Sequence, residues 1–253
     1  MVKIAVQIYE IQEPREAEVM IALGVDRIGS VIMSHEDWKV PTIRETILVS
    51  QEAGVKHSLI PLFNTRDILF QAIDYYQPDI IHFCESLTDE RGRLTPYDGL
   101  VTLQKTIKGA YPDMEIMRSV PVAVPQADQS TPTLEIAKCF EGSSDYLLTD
   151  TSGVRQPVNG YIGITGITGD WIMAGKLVAS STIPVILAGG LSPENVYEAI
   201  MTVRPFGVDS CTRTNVIEES GKAVRFKKDR GRVKTFVQEV RRAQRDLRER
   251  NAS

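Results

Sequence analysis

The sequence predicts an α/β protein of the (β/α)8 class, a TIM barrel forming one domain over residues 1–253. Three observations lead there. Short apolar runs of strand length alternate with segments of helical periodicity from end to end. About eight such pairs share 253 residues, which matches the arithmetic of a closed parallel barrel. No stretch rich in Pro, Gly or Ser divides the chain. The doubly wound sheet shares the alternation and is the competing architecture.

The expected strands are, in order, "VKIAVQIY" from Val2, "DRIGSVI" from Asp26, "KHSLIPLF" from Lys56 and "DIIHFC" from Asp79. They continue with "MEIMRSV" from Met114, "DYLLT" from Asp145, "PVILA" from Pro184 and "FGVDS" from Phe206. The first helix has Pro14 in its first turn and Gly24 just past its end. The helix after the seventh strand is expected to start with Ser192 as N-cap and Pro193 at the first helical position. The last helix carries Val233, Phe236, Val237, Val240 and Leu247 on one stripe. Its arginines are interleaved with acidic residues, which favours a solvated face over a nucleic-acid tail. Two connections are long, "ESLTDERGRLTPYDG" after the fourth strand and "RTNVIEESGKAVRFKKD" after the eighth. Both leave the carboxyl ends of strands, where barrel sites are built, and are candidate lids.

Composition bounds the function. The chain is 42% hydrophobic and 25% charged, with a net charge of −4. That is ordinary for a soluble domain and gives no reason to expect nucleic acid as partner. No apolar run has the roughly 18 residues of a membrane span, and the N-terminus lacks the form of a signal peptide. Cys84, Cys139 and Cys211 are odd in number and far apart. They suit neither a disulfide framework nor a metal site, so a cytoplasmic protein with reduced thiols is expected.

Gly189 and Gly190 end the seventh strand and precede a helix. Exposed backbone N–H groups near a helix start attract anions, and barrels frequently hold phosphate after strands seven and eight. A plain tight turn is the alternative. A second cluster, Gly163, Gly166 and Gly169, follows the sixth strand with Thr165 and Thr168 among it. A flexible connector is its alternative.

At these residues the chain resembles the phosphoribosylanthranilate isomerase family of tryptophan biosynthesis. The resemblance lies in "ILAGGLSPENVYEAI" with "RPFGVDS", in "LLTDT" with "GITGITGDW", and in "KKDRGRVKTFV". It is specific from about Asp145 to Val237 and covers the earlier units in outline, through "ALGVDRIG" and "PLFN". It implies the barrel fold and an Amadori rearrangement of a phosphoribosylamine by one acid and one base, with neither metal nor organic cofactor. It implies a small phosphorylated substrate and a monomer or homodimer.

Carried over by position, Asp150 is the implied acid; on its own, an aspartate there is also a common turn or cap residue. Gly166, Gly189 and Gly190 are implied phosphate contacts. The family's Ser-Ser-Gly-Val-Glu after strand eight reads "CTRTN" here, leaving Thr212 as a hydroxyl and N–H donor and Arg213 as a cation for phosphate or for a surface salt bridge. Two positions depart. The family begins Lys-Ile-Cys-Gly, its Cys being the base, and Ala5 is the expected match, with Gln7 two residues on along the same face. The family's carboxylate-binding Arg after strand two is absent from "SHEDWKVP", where Lys39 is the nearest cation.

Substitutes are sought at the other strand ends. His82 and Cys84 share a face of strand four and match the family's Gln-x-His. A thiol lowered by a neighbouring cation would make Cys84 a base; inert packing is the alternative. Glu85 stands at the same edge, and Arg118 lies where the family has a strand-five Lys. The leading expectation is an isomerase of a phosphorylated ribosylamine. The alternatives are a phosphometabolite-binding barrel of aldolase or epimerase type, and a non-catalytic descendant.

Overall fold

The computed structural model describes residues 3–89, 92–126 and 131–252. Val2 of the expected first strand, and positions 90 and 91 of the loop after the fourth, lie outside the described residues.

Eight parallel strands, hydrogen-bonded in sequence order, close into a barrel. They are β1 (Ala5–Ile8), β2 (Arg27–Ile32), β3 (Lys56–Pro61), β4 (Ile80–Phe83), β5 (Glu115–Ala123), β6 (Tyr146–Ser152), β7 (Val185–Leu187) and β8 (Gly207–Ser210). The helices between them are α1 (Pro14–Ala22), α2 (Pro41–Glu52), α3 (Arg66–Tyr76), α4 (Asp98–Ala110), α5 (Thr133–Glu141), α6 (Trp171–Ser180) and α7 (Val196–Val203). Closure comes from β1 pairing with β8, Ala5 opposite Gly207 through Ile8 opposite Ser210. All eight expected strands are present, so the doubly wound alternative is excluded.

The period of two sorts each strand. Residues such as Ile80, Met117, Leu148, Ile186 and Ala188 pack inside the barrel. Their neighbours Ile81, Phe83 and Ile116 face the helices. The amino-terminal end is plugged by Arg27, whose guanidinium lies 4.2 Å from the Tyr146 ring centre and 5.4 Å from that of Phe206. Gly207 is confined there too, since a Cβ would come 2.9 Å from the Ala5 carbonyl oxygen.

The last helix, α8 (Arg230–Ala252), buries the expected stripe of Val233, Phe236, Val237, Val240 and Leu247. Two of its arginines pair with acids: Arg242 with Glu239 one turn back, and Arg241 with Asp26 just before β2. The start of α7 differs from expectation. Ser192 to Asn195 form a turn, with Ser192 N–H donating to Asn195 Oδ1 at 2.8 Å, and the helix begins at Val196. The Asn195 side chain competes with the helix for the local N–H groups.

Both long connections are pinned. The one after β8 makes a 3₁₀ turn (Thr212–Thr214) and an antiparallel pair, β9 (Asn215–Ile217) with β10 (Ala223–Lys228). Arg225 of β10 pairs with Glu10, and Lys228 N–H donates to Glu16. The loop after β4 bridges at Glu85 to Tyr161 in the loop after β6.

Candidate active site

The carboxyl ends of the strands enclose an open cavity of about 790 Å³, counting the space at its mouth. Its walls come from Tyr9, His82, Cys84, Asp150, Asp209 and the glycine loops after β6 and β7.

Two carboxyls dominate it. Asp150 of β6 is pushed up to about 7 by burial, against the pull of a hydrogen bond from Thr151 N–H. Asp209 of β8 is also pushed up to about 7 by burial. The hydrogen bond from Gln7 and the Lys228 cation pull it down, and the nearby Asp150 pushes it up. Gln7 Nε2 donates to Asp209 Oδ1 at 3.1 Å. Between them, just past the end of β7, the wall is Ala188, Gly189, Gly190 and Leu191, so three of the four residues there are glycine or alanine.

The opposite wall is a hydrogen-bonded chain. Tyr9 OH lies 2.5 Å from Ser58 Oγ and 2.6 Å from His82 Nδ1, and His82 Nε2 lies 2.9 Å from Ser119 Oγ. Gly29 makes room for the Tyr9 ring, because a Cβ there would sit 2.1 Å from ring carbons. Burial, then the Arg118 charge, lowers His82 to about 3, so its imidazole is neutral near neutral pH.

The rim over Asp150 is backbone. Gly163, Gly166, Gly189 and Gly190 all have positive φ. A Cβ on Gly163 would meet Asp150 Oδ2 at 2.6 Å, and one on Gly190 the backbone of Ile167 and Thr168 at 2.6 Å. Thr151 Oγ1 donates to the Ile167 carbonyl, holding the loop after β6 to its own strand, and a Cβ on Gly189 of the next loop would meet that hydroxyl at 2.5 Å. Arg213 Nε donates to the Gly166 carbonyl at 2.8 Å, and Thr212 Oγ1 to that of Ile164 at 3.2 Å. Asp150, His82, Cys84, Gly166, Gly189, Gly190, Thr212 and Arg213 therefore meet at one cavity.

Other expected residues are placed differently. Gln7 is fully buried beneath the cavity and acts on it through Asp209. Arg118 faces away from the lumen. It is paired with Glu85, and its guanidinium is 4.5 Å from the Phe140 ring centre; β5 register puts it beside outward-facing Phe83. Cys84 reaches the cavity, but burial, with Glu85 and Asp150 alongside, pushes its thiol up and Arg118 only partly offsets them. It is held protonated rather than as the thiolate expected.

Strand one also corrects the sequence register. Ala5 lies at the amino-terminal end of β1, far from the mouth. The residues that reach the mouth are Tyr9 and Glu10, and Glu10 has a φ of 63°, a conformation that favours glycine. Tyr9, not Ala5, is therefore the residue of the first strand's face that meets the cavity. The strand's apolar pattern reads the same in either register, so only the backbone conformation at Glu10 separates them. Asp209 was visible as an acid near the end of a barrel strand, where such residues read as functional. Among the described residues, no cluster of His, Cys, Asp or Glu is arranged to hold a metal ion, and no helix is long and apolar enough to cross a membrane.

A closed (β/α)8 barrel with a half-buried Asp150, a buried Asp209 and a glycine rim at its strand ends belongs to the class of barrel enzymes that work by acid–base chemistry. A model of the family described as N-(5'phosphoribosyl)anthranilate (PRA) isomerase matches residues 113–239. An N-(5'-phosphoribosyl)anthranilate isomerase of Haloferax volcanii is 30% identical over 232 residues, covering 92% of this chain and 90% of that one. One from Methanocella arvoryzae is 41% identical over 108 residues, 43% of this chain and 45% of the relative's length. The solved phosphoribosyl anthranilate isomerase of Thermotoga maritima shares the fold, with a TM-score of 0.66 at 22% identity over 95% of this chain and 99% of that one. The chain belongs to the N-(5'-phosphoribosyl)anthranilate isomerase family.

Proposed function

We propose that the protein isomerises a phosphorylated ribosylamine to the matching aminodeoxyribulose phosphate, as a cytoplasmic monomer or homodimer. N-(5'-phosphoribosyl)anthranilate, the compound in its relatives' names, is the substrate proposed. The observation that carries the reading is Asp150, a half-buried carboxyl raised to about 7 beneath a rim of positive-φ glycines. Such a group keeps its proton near neutral pH and can give it to the ribose ring oxygen as the ring opens. Gly166, Gly189, Gly190 and Thr212 supply the phosphate seat, and Arg213, tethered to the Gly166 carbonyl, supplies a positive charge beside it. His82, neutral and fixed by Tyr9 and Ser119, borders the sugar.

The test is growth of a bacterium that lacks its tryptophan-pathway isomerase. Expression of the wild-type chain should restore growth without tryptophan, and Asp150→Ala should abolish the rescue. Absence of rescue by a well-expressed wild-type protein would refute the reading.

A further inference from the structure

An isomerisation of this kind needs a base as well as an acid, and the residues at the cavity leave few choices. Tyr9 sits at the rim of β1, but its hydroxyl is held between Ser58 and His82, and burial pushes it well above its ordinary value. His82 has both ring nitrogens in hydrogen bonds. Cys84 and Cys211 are held as thiols by burial. Glu10 is engaged by Arg225 in an ion pair. Asp209 differs from all of these. It lines the cavity, and the structure gives its Oδ1 a donor in Gln7.

We propose that Asp209 is the base of this site, taking the proton from the sugar carbon next to the amine-bearing carbon, with Gln7 as its positioning residue. The assignment rests on the isomerase reading above. Asp150 and Asp209 stand on β6 and β8, two strands apart, roughly 9–10 Å between backbones. With the small residues Ala188, Gly189 and Gly190 lining the wall between them, they flank the space a sugar would fill. A hydrogen bond to the charged form favours that form. Asp209 has Gln7 and the Lys228 cation on its side, whereas Asp150 has only the Thr151 N–H. Under this proposal the one proton the two share sits on Asp150, which leaves Asp209 ionised.

The steps balance. Asp150 gives its proton to the ring oxygen as the C1–O bond breaks, and the nitrogen lone pair forms a C1=N iminium. The Asp209 carboxylate removes the proton on C2. The C2–H electron pair becomes a C1=C2 bond, and the C=N electrons return to nitrogen, giving an enaminol. The enaminol ketonises when C1 takes a proton from Asp209 and the C2 hydroxyl gives one to Asp150. Both carboxyls end as they began.

The test uses the full-length protein with N-(5'-phosphoribosyl)anthranilate. Asp209→Asn should lower kcat/KM by about 10²–10⁴-fold, the usual contribution of a general base. The residual activity should lose the wild type's rise with pH on the acidic side. That rise reports Asp209 among its neighbours Asp150, Lys228, Tyr9 and Cys211. Formate should partly restore turnover to Asp209→Ala, which a purely structural role would not allow. Activity of Asp209→Asn within fivefold of wild type, or a larger loss in Glu10→Gln, would overturn the proposal. If the Asp209 variants do not fold, the wild-type profile decides: a flat kcat/KM between pH 5 and pH 8 rejects the assignment and an acidic limb sustains it. A wild type inactive on this compound would refute the substrate reading instead. The base is then settled by ¹³C NMR titration, in which ionisation of Asp209 before Asp150 sustains the proposal and the reverse order defeats it.

Discussion

The two halves of the barrel mouth are built on different principles. In the half from β5 to β8, which the family match at 113–239 spans, the cavity wall is mostly backbone. Its positive-φ glycines are hemmed in, Gly190 by main chain and Gly163, Gly166 and Gly189 by the side chains of Asp150, Thr212 and Thr151, and Asp150 and Asp209 line the space they leave. In the half from β1 to β4 the wall is side chain: a tyrosine ring over Gly29, and a line of hydrogen bonds through Ser58, Tyr9 and His82 that ends on Ser119 of β5. Backbone that must approach backbone admits only glycine, so that half constrains the sequence tightly. A side-chain wall can be rebuilt by exchanging partners together.

The largest expected effect falls in the backbone-built half. Asp150→Asn should cost about 10²–10⁴-fold in kcat/KM by removing the proton donor. The same variant should gain stability at neutral pH. In the unfolded chain the Asp150 carboxyl ionises at its ordinary value, whereas in the fold it holds its proton up to about 7. The unfolded state therefore sheds its proton first as pH rises. Wild-type stability should fall between about pH 4 and pH 7 by about 1.4 kcal/mol per pH unit for this group. The asparagine does not titrate, so its stability relative to wild type should climb through that window and level off above it. Urea unfolding at pH 4.5, 6 and 7.5 measures this. A gap that does not grow with pH would mean that the carboxyl carries no burial penalty and that the mouth is not specialised for catalysis at Asp150.

The unequal legibility of the two halves follows from the same difference. The eight strands could be read from apolar runs alone, and the glycines and Asp150 from their order along the chain, because backbone constraints are local in sequence. The β1 register could not be read so. "VKIAVQIYE" is apolar at Ala5 and at Tyr9 alike, and what fixes Tyr9 is Gly29, Ser58 and His82, each on a different strand. Arg118 was misplaced for a related reason. A charged residue in a strand suggests the lumen, but the partner that holds it, Glu85, comes from the loop after β4. The start of α7 slipped because Ser192 and Asn195 are both capping residues, and only the hydrogen bond between them shows which one ends the turn.

Gly190→Ala sharpens the contrast. Its Cβ would lie 2.6 Å from main-chain atoms of Ile167 and Thr168, at a φ of 60°. Neither loop can yield without moving the other, so a loss of about 1–3 kcal/mol is expected, read as a lower thermal midpoint. Inorganic phosphate should raise the thermal midpoint of the wild type and not that of the variant. Unchanged stability would show that the rim is more pliable than its packing implies.

The smallest effect tests the side-chain wall. Tyr9→Phe keeps the ring that fills the space over Gly29 and removes the hydroxyl. Ser58 Oγ and His82 Nδ1, both buried, lose a partner at 2.5 Å and 2.6 Å. A loss of about 1–2 kcal/mol is expected, from the cost of leaving buried polar groups unpaired. Gly29→Ala is the counterpart. It forces the ring out while leaving the hydroxyl on the residue, so it should destabilise more than Tyr9→Phe does. If the phenylalanine variant is the less stable of the two in urea unfolding, the hydrogen-bonded chain rather than the packed ring holds this wall. The β1–β4 half would then be as tightly constrained by its polar geometry as the other half is by its glycines.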